Sequence, residues 1–203
     1  TQGYSSAASD VYKRQVFIYQ GEELGSVNGT FNSIEEYDDL NTKDQYRRAL
    51  CAGYDEAQSL KFVNDRSRDN SRMPFPWTAE ANGGFTSGMP WLKCNDDYAA
   101  ICAKKQEQDK DSLLHYYRNL IRIRKDEANC ECLIYGEVRE IENAVESVIA
   151  FERIAENGEK IQIWINMSDE IQKADIIEGE LLCNNYSEFN RTSLQPYQAV
   201  MVR

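Results

Sequence analysis

Two adjacent carboxylates, Glu22 and Glu23, have side chains that could do acid–base chemistry. Two carboxyl groups can cleave a glycosidic bond when one acts as acid and the other as base or nucleophile. Successive side chains on extended backbone point in opposite directions, so these two cannot flank one bond. We therefore predict that they fix a loop by hydrogen bonding and are not catalytic.

A second run, residues 68–77, combines two guanidinium groups with an indole ring. Its two prolines exclude a continuous helix, which predicts a shaped loop. Guanidinium groups can donate hydrogen bonds to hydroxyl oxygens, and an aromatic ring can cover the apolar face of a pyranose. The combination favours sugar binding by Arg72 and Arg68. The alternative is structural, with Arg68 paired to Asp69 and Trp77 in the core.

Three runs carry a resemblance to a known family. They read Phe-Ile-Tyr-Gln-Gly-Glu-Glu-Leu-Gly at 17–25, Ser-Arg-Asp-Asn-Ser-Arg-Met-Pro-Phe-Pro-Trp at 67–77 and Asn-Gly-Gly-Phe-Thr-Ser-Gly-Met-Pro-Trp at 82–91. In this order they resemble the alpha-glucosidases of the alpha-amylase superfamily, oligo-1,6-glucosidases in particular. The resemblance covers residues 16–203, and the chain departs from the usual motif at Met73, Phe75 and Pro76.

The resemblance implies an α/β fold followed by a β domain. Residues 16–128 correspond to the last strand, the long loop and the closing helix of a (β/α)8 barrel, with residues 16–19 as the strand. Residues 129–203 correspond to a C-terminal antiparallel β-sandwich domain. Residues 1–15 resemble a translated sequencing adapter, an artefact that we expect to carry no function.

The resemblance also implies site residues. In this family an arginine of the motif contacts the non-reducing-end glucose, and Arg72 is the first choice, with Arg68 second. Residues 19–25 would form the floor beside that glucose. The family's retaining displacement uses an Asp nucleophile, a Glu acid and a second Asp from earlier barrel strands, none of which matches this chain. We therefore predict no catalytic residue here, and a chain that is inactive by itself.

The intact parent would act on a small oligosaccharide or disaccharide without a cofactor. Trehalose-phosphate hydrolases and sucrose isomerases share much of this segment, so they remain alternatives. Two further alternatives lack catalysis: a transporter-associated relative and a stand-alone carbohydrate-binding module.

Helices are predicted in three places. Ser33 and Thr42 are each followed three residues later by Glu or Gln, the form of a capping box. This predicts a short helix after Ser33 and a longer one within residues 44–60. Residues 111–125 are amphipathic, which predicts the closing helix of the barrel. His115 lies off the apolar stripe of that helix and is predicted to be a surface residue.

Strands are predicted beyond a boundary within residues 126–133. Apolar runs at 147–151 and 161–165 flank an Asn-Gly pair at 157–158, the strongest short signal for a β-hairpin. Further strands are predicted at 179–183 and 197–202, and together they would complete a small antiparallel sheet.

Composition excludes several classes of function. The 203 residues contain 23 Lys and Arg against 34 Asp and Glu, a net charge of −11 that disfavours nucleic acid as a partner. Six cysteines without a C-x-x-C pair and a single histidine offer no zinc site, so reduced thiols and no metal are expected. No signal peptide or membrane segment is indicated, which favours the cytoplasm.

A barrel strand without its neighbours leaves backbone groups and apolar surface unpaired. We therefore expect residues 16–125 to be partly molten or prone to aggregation, while the C-terminal sheet could fold alone. Hydrogen exchange would contradict this expectation if it showed uniform, strong protection across both parts.

Overall fold

The structure, a computed structural model, describes residues 16–143 and 145–203. The segment interpreted as an adapter artefact, residues 1–15, lies outside the described residues. The chain divides into two compact units, one formed by Ile18–Tyr117 and the other containing Arg118–Arg203. The domain limits implied by the family resemblance, 16–128 and 129–203, stay predictions.

The first unit is built from short helices joined by long loops. Its helices are α1 (Leu40–Cys51), α2 (Glu56–Asn64), α3 (Ala103–Gln108) and the first part of α4 (Leu113–Lys125), with 3-10 turns at Glu22–Leu24, Ile34–Glu36, Arg68–Ser71 and Ala81–Gly84. Its core cluster contains Phe31, Tyr37, Val63 and Met73, which come from two loops and α2. The loops therefore pack through their own apolar side chains.

The predicted strand at residues 16–19 is wrong, because these residues have no regular secondary structure. Their side chains are exposed. A barrel strand takes its ladder hydrogen bonds from parallel strands on both sides, and every strand pair in the described part of the chain is antiparallel and lies beyond residue 136.

Both predicted capping boxes are wrong. Ser33 precedes a single 3-10 turn and makes no side-chain cap, and the Glu36 carboxylate accepts from the Asn32 N–H (3.0 Å). Thr42 lies inside α1, where it donates to the buried Asp39 carboxylate (2.9 Å). The true capping box joins Asp55 and Gln58 at the start of α2.

The predicted helix 44–60 is two helices, since α1 ends at Cys51 and α2 begins at Glu56. The predicted helix 111–125 is present as α4, whose first turn is capped by the Ser112 side chain, since Ser112 Oγ accepts from His115 N (3.4 Å). His115 is half-buried, so its assignment to the surface is wrong. Its Nδ1 lies 3.0 Å from Ser112 Oγ and 3.1 Å from the Gln106 carbonyl oxygen of α3.

The second unit contains a five-stranded antiparallel sheet in the order β1-β2-β3-β7-β5. Its strands are β1 (Glu137–Glu140), β2 (Val148–Ile154), β3 (Lys160–Asn166), β5 (Leu181–Asn184) and β7 (Ala199–Val202), and β4 (Gln172–Lys173) pairs with β6 (Ser193–Leu194) in a separate two-stranded sheet. The predicted hairpin is confirmed: β2 and β3 pair from Val148↔Asn166 to Ile154↔Lys160. Gly158 supplies the positive φ of 87° in its turn.

The core of this unit lies on one face of the larger sheet. Alternate residues of β2, β3 and β7 point into it, as period-2 burial requires. Leu194 of the small sheet packs into the same cluster, whose buried members are Val148, Ala150, Trp164, Ile177, Leu194, Val200 and Val202. The antiparallel sheet is therefore present as predicted, and β1, β4 and β6 are additions to the prediction.

A π-helix at Glu131–Tyr135 connects α4 to β1. Its carbonyl end is held by Arg153 of β2, which donates to the carbonyl oxygens of Cys132 (2.9 Å) and Gly136 (3.0 Å). Arg124 of α4 donates to the Leu133 carbonyl oxygen. Two guanidinium groups thus donate to carbonyl oxygens at this helix end, where Cys132 O also accepts from Gly136 N (3.0 Å).

All six cysteines are free thiols, and Cys102, Cys132 and Cys183 are buried. Burial raises the pKa of the Cys132 thiol above its usual value, which keeps it protonated at neutral pH. Among the helices of the described residues, none has the length and apolar character needed to cross a membrane.

Candidate functional site

The first two motif runs line one open depression in the first unit. Gln20 and Gly21 contribute from the first run. All six residues of 70–76 other than Arg72 contribute from the second run, and the remaining wall comprises Ser26, Asn95, Asp97, Tyr98 and Ile101. The Gln20 side chain donates to the Ser71 carbonyl oxygen (3.4 Å), joining runs that lie about fifty residues apart in sequence. The fold therefore brings the two predicted functional segments together.

Asn70 stands in the wall of this depression. Its Nδ2 donates to the Asn64 carbonyl oxygen (2.6 Å), while its Oδ1 is buried without a hydrogen-bond partner. A buried acceptor without a partner costs roughly 1–3 kcal/mol. The Asn70 amide is thus held in place although its unpaired Oδ1 costs stability, a situation that is common at functional sites.

Glu22 and Glu23 form part of a 3-10 turn, so the backbone there is not extended as the sequence argument assumed. Glu22 Oε2 accepts from Tyr19 N (3.2 Å), and Glu23 Oε2 accepts from Gly21 N (2.8 Å). Both carboxylates thus hold backbone N–H groups of the first motif run. These bonds agree with the predicted loop-fixing role.

A glutamine that sequence reasoning missed fixes the other end of that run. Gln106 of α3 donates to the Leu24 carbonyl oxygen (2.8 Å) and accepts from Leu114 N at the start of α4 (3.0 Å). Nothing in the local sequence around residue 106 signals the contact with Leu24, because that residue lies 82 positions away along the chain.

Arg68 forms an ion pair with Asp39, not with Asp69 as the structural alternative supposed. Its Nη2 lies 2.6 Å from Asp39 Oδ1, and its Nε lies 3.4 Å from Oδ2. The Asp39 side chain is buried, whereas that of Arg68 is 62% exposed. Asp39 precedes α1, so this pair ties the motif loop to the start of that helix.

Arg72 pairs with Asp69, which is fully buried. Asp69 Oδ2 accepts from Asp38 N (2.8 Å) and Asp39 N (2.9 Å), and its Oδ1 lies 3.4 Å from Arg72 Nη1. A single long contact leaves most donors of the Arg72 guanidinium free of protein carboxylates. Asp69 was missed as a site residue, although its position between the two arginines was the available signal.

Trp77 is 54% exposed, so the alternative that placed it in the core is wrong. Its ring centroid lies 4.6 Å from that of Phe75, and its backbone N–H donates to the Gly83 carbonyl oxygen (2.8 Å). Gly83 belongs to the third motif run, which therefore holds the backbone that carries the exposed indole. Neither Arg68 nor Arg72 belongs to the residues that line the depression.

The ion pair of Asp39 should be visible in its titration. The hydrogen bond from Arg68, the largest cause, lowers the pKa of Asp39 from 3.8 to about 2. Because the folded-state pKa lies below the unfolded one, the stabilisation is present above pH 3.8 and lost as the pH falls through 2. We expect a contribution of roughly 1–2 kcal/mol, limited by the exposure of Arg68.

The measurement is an NMR titration of the Asp39 carboxyl carbon in the wild-type protein and in the Arg68→Gln variant. The variant should titrate closer to 3.8. Equal midpoints in the two proteins would contradict the pairing.

Within residues 16–143 and 145–203 there is no group of three or more His, Cys, Asp and Glu side chains arranged to hold a metal ion. The functional groups of the site are therefore guanidinium, carboxylate, amide and aromatic side chains. This set can hold a neutral polyhydroxylated ligand through hydrogen bonds and ring contacts.

Comparison with known proteins gives the family. The model of the alpha-amylase catalytic domain matches residues 7–136. An oligo-1,6-glucosidase of Halalkalibacterium halodurans is 34% identical over 90% of this chain and 34% of its own length. The Bacillus licheniformis trehalose-6-phosphate hydrolase superimposes with a TM-score of 0.82 at 30% identity, covering 91% of this chain and 35% of that one.

A third relative is the trehalulose synthase of Pseudomonas mesoacidophila, with a TM-score of 0.82 at 32% identity over 97% of this chain and 37% of that one. The chain thus spans about a third of the length of the relatives it matches. The match of the domain model together with these identities shows that the chain belongs to the alpha-amylase family of glycoside hydrolases.

Proposed function

We propose that the chain is the C-terminal part of a retaining alpha-glucosidase that removes the non-reducing-end glucose from short alpha-linked glucosides. The observation that carries the proposal is the single depression lined by the two motif runs, Gln20–Gly21 and the segment 70–76. Membership of a family whose similar members include oligo-1,6-glucosidases supports it.

The loop chemistry suits this role. Asp69 anchors the motif loop to the backbone before α1, so the loop carries Arg72 on a fixed base. We assign Arg72 to hydroxyl groups of the glucose, because its guanidinium retains free donors. We assign Arg68 a positioning role, because its ion pair with Asp39 holds the motif loop. Arg68 therefore remains the second choice, after Arg72, for a contact with the sugar.

The wall of the depression favours a neutral sugar over a phosphorylated one. It contains Asp97 and, among the described residues that line it, neither Lys nor Arg. A sugar phosphate would need cationic partners, which are the usual ligands of phosphate groups. Arg72, assigned above to the glucose, lies outside this wall, so the wall favours glucosidase activity over trehalose-6-phosphate hydrolysis for the part of the substrate that it contacts.

The 203-residue chain should not turn over substrate by itself, because we propose that the nucleophile and the acid belong to upstream strands of the parent. The measurement is release of p-nitrophenol from p-nitrophenyl alpha-glucoside by purified chain, with an authentic oligo-1,6-glucosidase as positive control. Hydrolysis of the substrate that co-purifies with the chain would refute the proposal that the nucleophile and the acid lie upstream.

Product analysis on the intact parent protein tests the reaction. We expect glucose from isomaltose. Isomaltulose or trehalulose from sucrose would instead establish a sucrose isomerase, and hydrolysis restricted to trehalose 6-phosphate would establish the phosphate enzyme. In the parent, Arg72→Lys should lower kcat/KM by roughly a hundredfold, since two charge-assisted hydrogen bonds are each worth about 1.5 kcal/mol.

A further inference from the structure

The backbone of Tyr197 is an outlier in the second unit. Its φ is +54°, and among the described residues other than glycine only Asn82 shares a positive value. Asparagine adopts this left-handed conformation readily, whereas a bulky aromatic residue does so at a cost. Backbone strain of this kind persists only where the surrounding contacts enforce it, and it is found most often at functional positions.

Hydrogen bonds enforce the conformation from both sides. Tyr197 N donates to the Ser168 carbonyl oxygen (3.0 Å), and the Tyr197 carbonyl oxygen accepts from Asn185 Nδ2 (2.9 Å). The turn is closed by Gln198, whose N donates to the Gln195 carbonyl oxygen (3.0 Å) and whose Oε1 accepts from Gln195 N (2.8 Å). Both backbone polar groups of Tyr197 are therefore satisfied in a strained geometry.

This enforced geometry presents a ring to solvent. Tyr197 is 61% exposed, while Gln198 beside it is buried. A second exposed tyrosine, Tyr186, is fixed against the same turn because its hydroxyl donates to the Pro196 carbonyl oxygen (2.7 Å). A strained residue that packed its ring would gain burial in return, but this one gains none. The strained backbone of Tyr197 therefore serves to expose an aromatic ring.

The charges around the two rings select the kind of ligand. Asp169 and Glu170 follow the Ser168 carbonyl that binds Tyr197, and Glu188 lies two residues after Tyr186. Exposed carboxylates repel anionic lipid, phosphate and nucleic acid. A neutral ligand with an apolar face and hydroxyl groups fits, because tyrosine rings stack on the apolar face of a pyranose and amide or carboxylate oxygens accept from its hydroxyls.

We propose that Tyr197 and Tyr186 form a surface binding site for alpha-linked gluco-oligosaccharides on the antiparallel sheet domain. The identity of the sugar rests on the proposed function, whereas the strained and exposed ring does not. Such a site would hold a glucan chain without cleaving it.

The test is affinity electrophoresis of the 203-residue chain, taken as the monomer fraction from gel filtration. One gel contains dextran, with alpha-1,6 linkages, and another contains soluble starch, with alpha-1,4 linkages. We expect retardation in at least one gel, and the more strongly retarding polysaccharide identifies the linkage. Absence of retardation in both gels would overturn the proposal.

Tyr197→Gly provides a variant that separates binding from folding. Glycine accepts the positive φ, so the melting temperature should stay equal or rise, while the apparent Kd for the glucan should weaken about tenfold. Tyr197→Phe keeps the ring and should keep the retardation. Met89→Ser, which removes an exposed apolar side chain from the first unit, is the control and should change neither property.

Three outcomes would reject the site. Unchanged retardation of Tyr197→Gly would show that the ring does not bind glucan. A lower melting temperature of that variant would show that the ring is needed for packing. A wild-type dimer that becomes monomeric on this substitution would assign the surface to a second copy of the chain. None of these outcomes bears on hydrolysis by the parent, so failure here and failure of the proposed function are distinguishable.

Discussion

Gly136→Ala is expected to lower the free energy of unfolding of the sheet domain by about 3 kcal/mol, near the upper end of the usual cost of overpacking. A Cβ atom at this position would lie 2.4 Å from the Cys132 carbonyl oxygen and 3.0 Å from the Ile154 carbonyl oxygen. Both obstacles are backbone atoms, one from the π-helix and one from β2, so neither can move aside by a rotamer change. Gly136 has φ −58°, an ordinary value, and the cost is therefore steric.

Urea unfolding followed by the fluorescence of Trp164 would measure this loss, because that side chain lies in the core of the sheet. The matched control is Gly158→Ala. Its added Cβ would meet nothing within 4 Å, but its φ is +87°, so only backbone strain of about 1 kcal/mol is expected. Equal losses in the two variants would mean that the junction between π-helix and sheet relaxes, and the steric argument would fail.

The hairpin of β2 and β3 was predictable because its signals are local. Apolar runs mark both strands, and the Asn-Gly pair supplies the turn between them. The short strands β4 and β6 were not predictable, since each has two residues and depends on its partner for definition. Periodicity needs several residues before it can distinguish a strand from a loop.

The predictions of capping boxes at two helix starts were wrong for a related reason. Ser33 and Thr42 satisfy the local form of a capping box, yet the Thr42 hydroxyl contacts Asp39 and Ser67, the second of which is 25 residues away. A local pattern predicts a cap only when no distant group competes for the same side chain. The box at Asp55 and Gln58 has the same kind of spacing, and the structure keeps it.

The candidate site has features that could be predicted from the sequence and others that could not. The motif runs and their two arginines could be named from the sequence, because residue types alone suggest guanidinium chemistry. Their partners could not be named, since Asp39 lies 29 residues before Arg68 and the contact between Gln20 and Ser71 spans 51. Sequence reasoning therefore located the loop, and the structure assigned the carboxylate that each arginine contacts.

Asn166→Ala is expected to cost about 3 kcal/mol of unfolding free energy, again in the sheet domain. Asn166 is fully buried. Its Nδ2 donates to the carbonyl oxygens of Glu170 (2.7 Å) and Gln195 (2.9 Å), and its Oδ1 accepts from Ser168 N (2.9 Å). Removal of the amide leaves Ser168 N without its partner and takes a donor from two carbonyl oxygens, although Gln195 O keeps the bond from Gln198 N (3.0 Å) and Glu170 O keeps that from Ser168 Oγ (3.3 Å). A buried group left unsatisfied costs roughly 1–3 kcal/mol, and the lost donor bonds add to that cost.

Asn157→Ala is the control, because Asn157 makes the same kinds of amide bond to Glu159 in an exposed turn. Water can replace those bonds, so its loss should stay below about 1 kcal/mol. Urea unfolding of both variants gives the comparison. Equal losses would show that water reaches the groups around Asn166.

Asn166→Asp separates the donor role of the amide from its acceptor role. The new carboxylate could still accept from Ser168 but would face the two carbonyl oxygens with no proton to donate. Burial and these oxygens raise the pKa of the new carboxyl above its unfolded value. Its protonated form can donate, so the variant should approach wild-type stability at low pH and lose stability as the pH rises through the raised folded-state pKa. A stability difference from wild type that did not change between pH 4 and pH 7 would mean that the donor bonds contribute little.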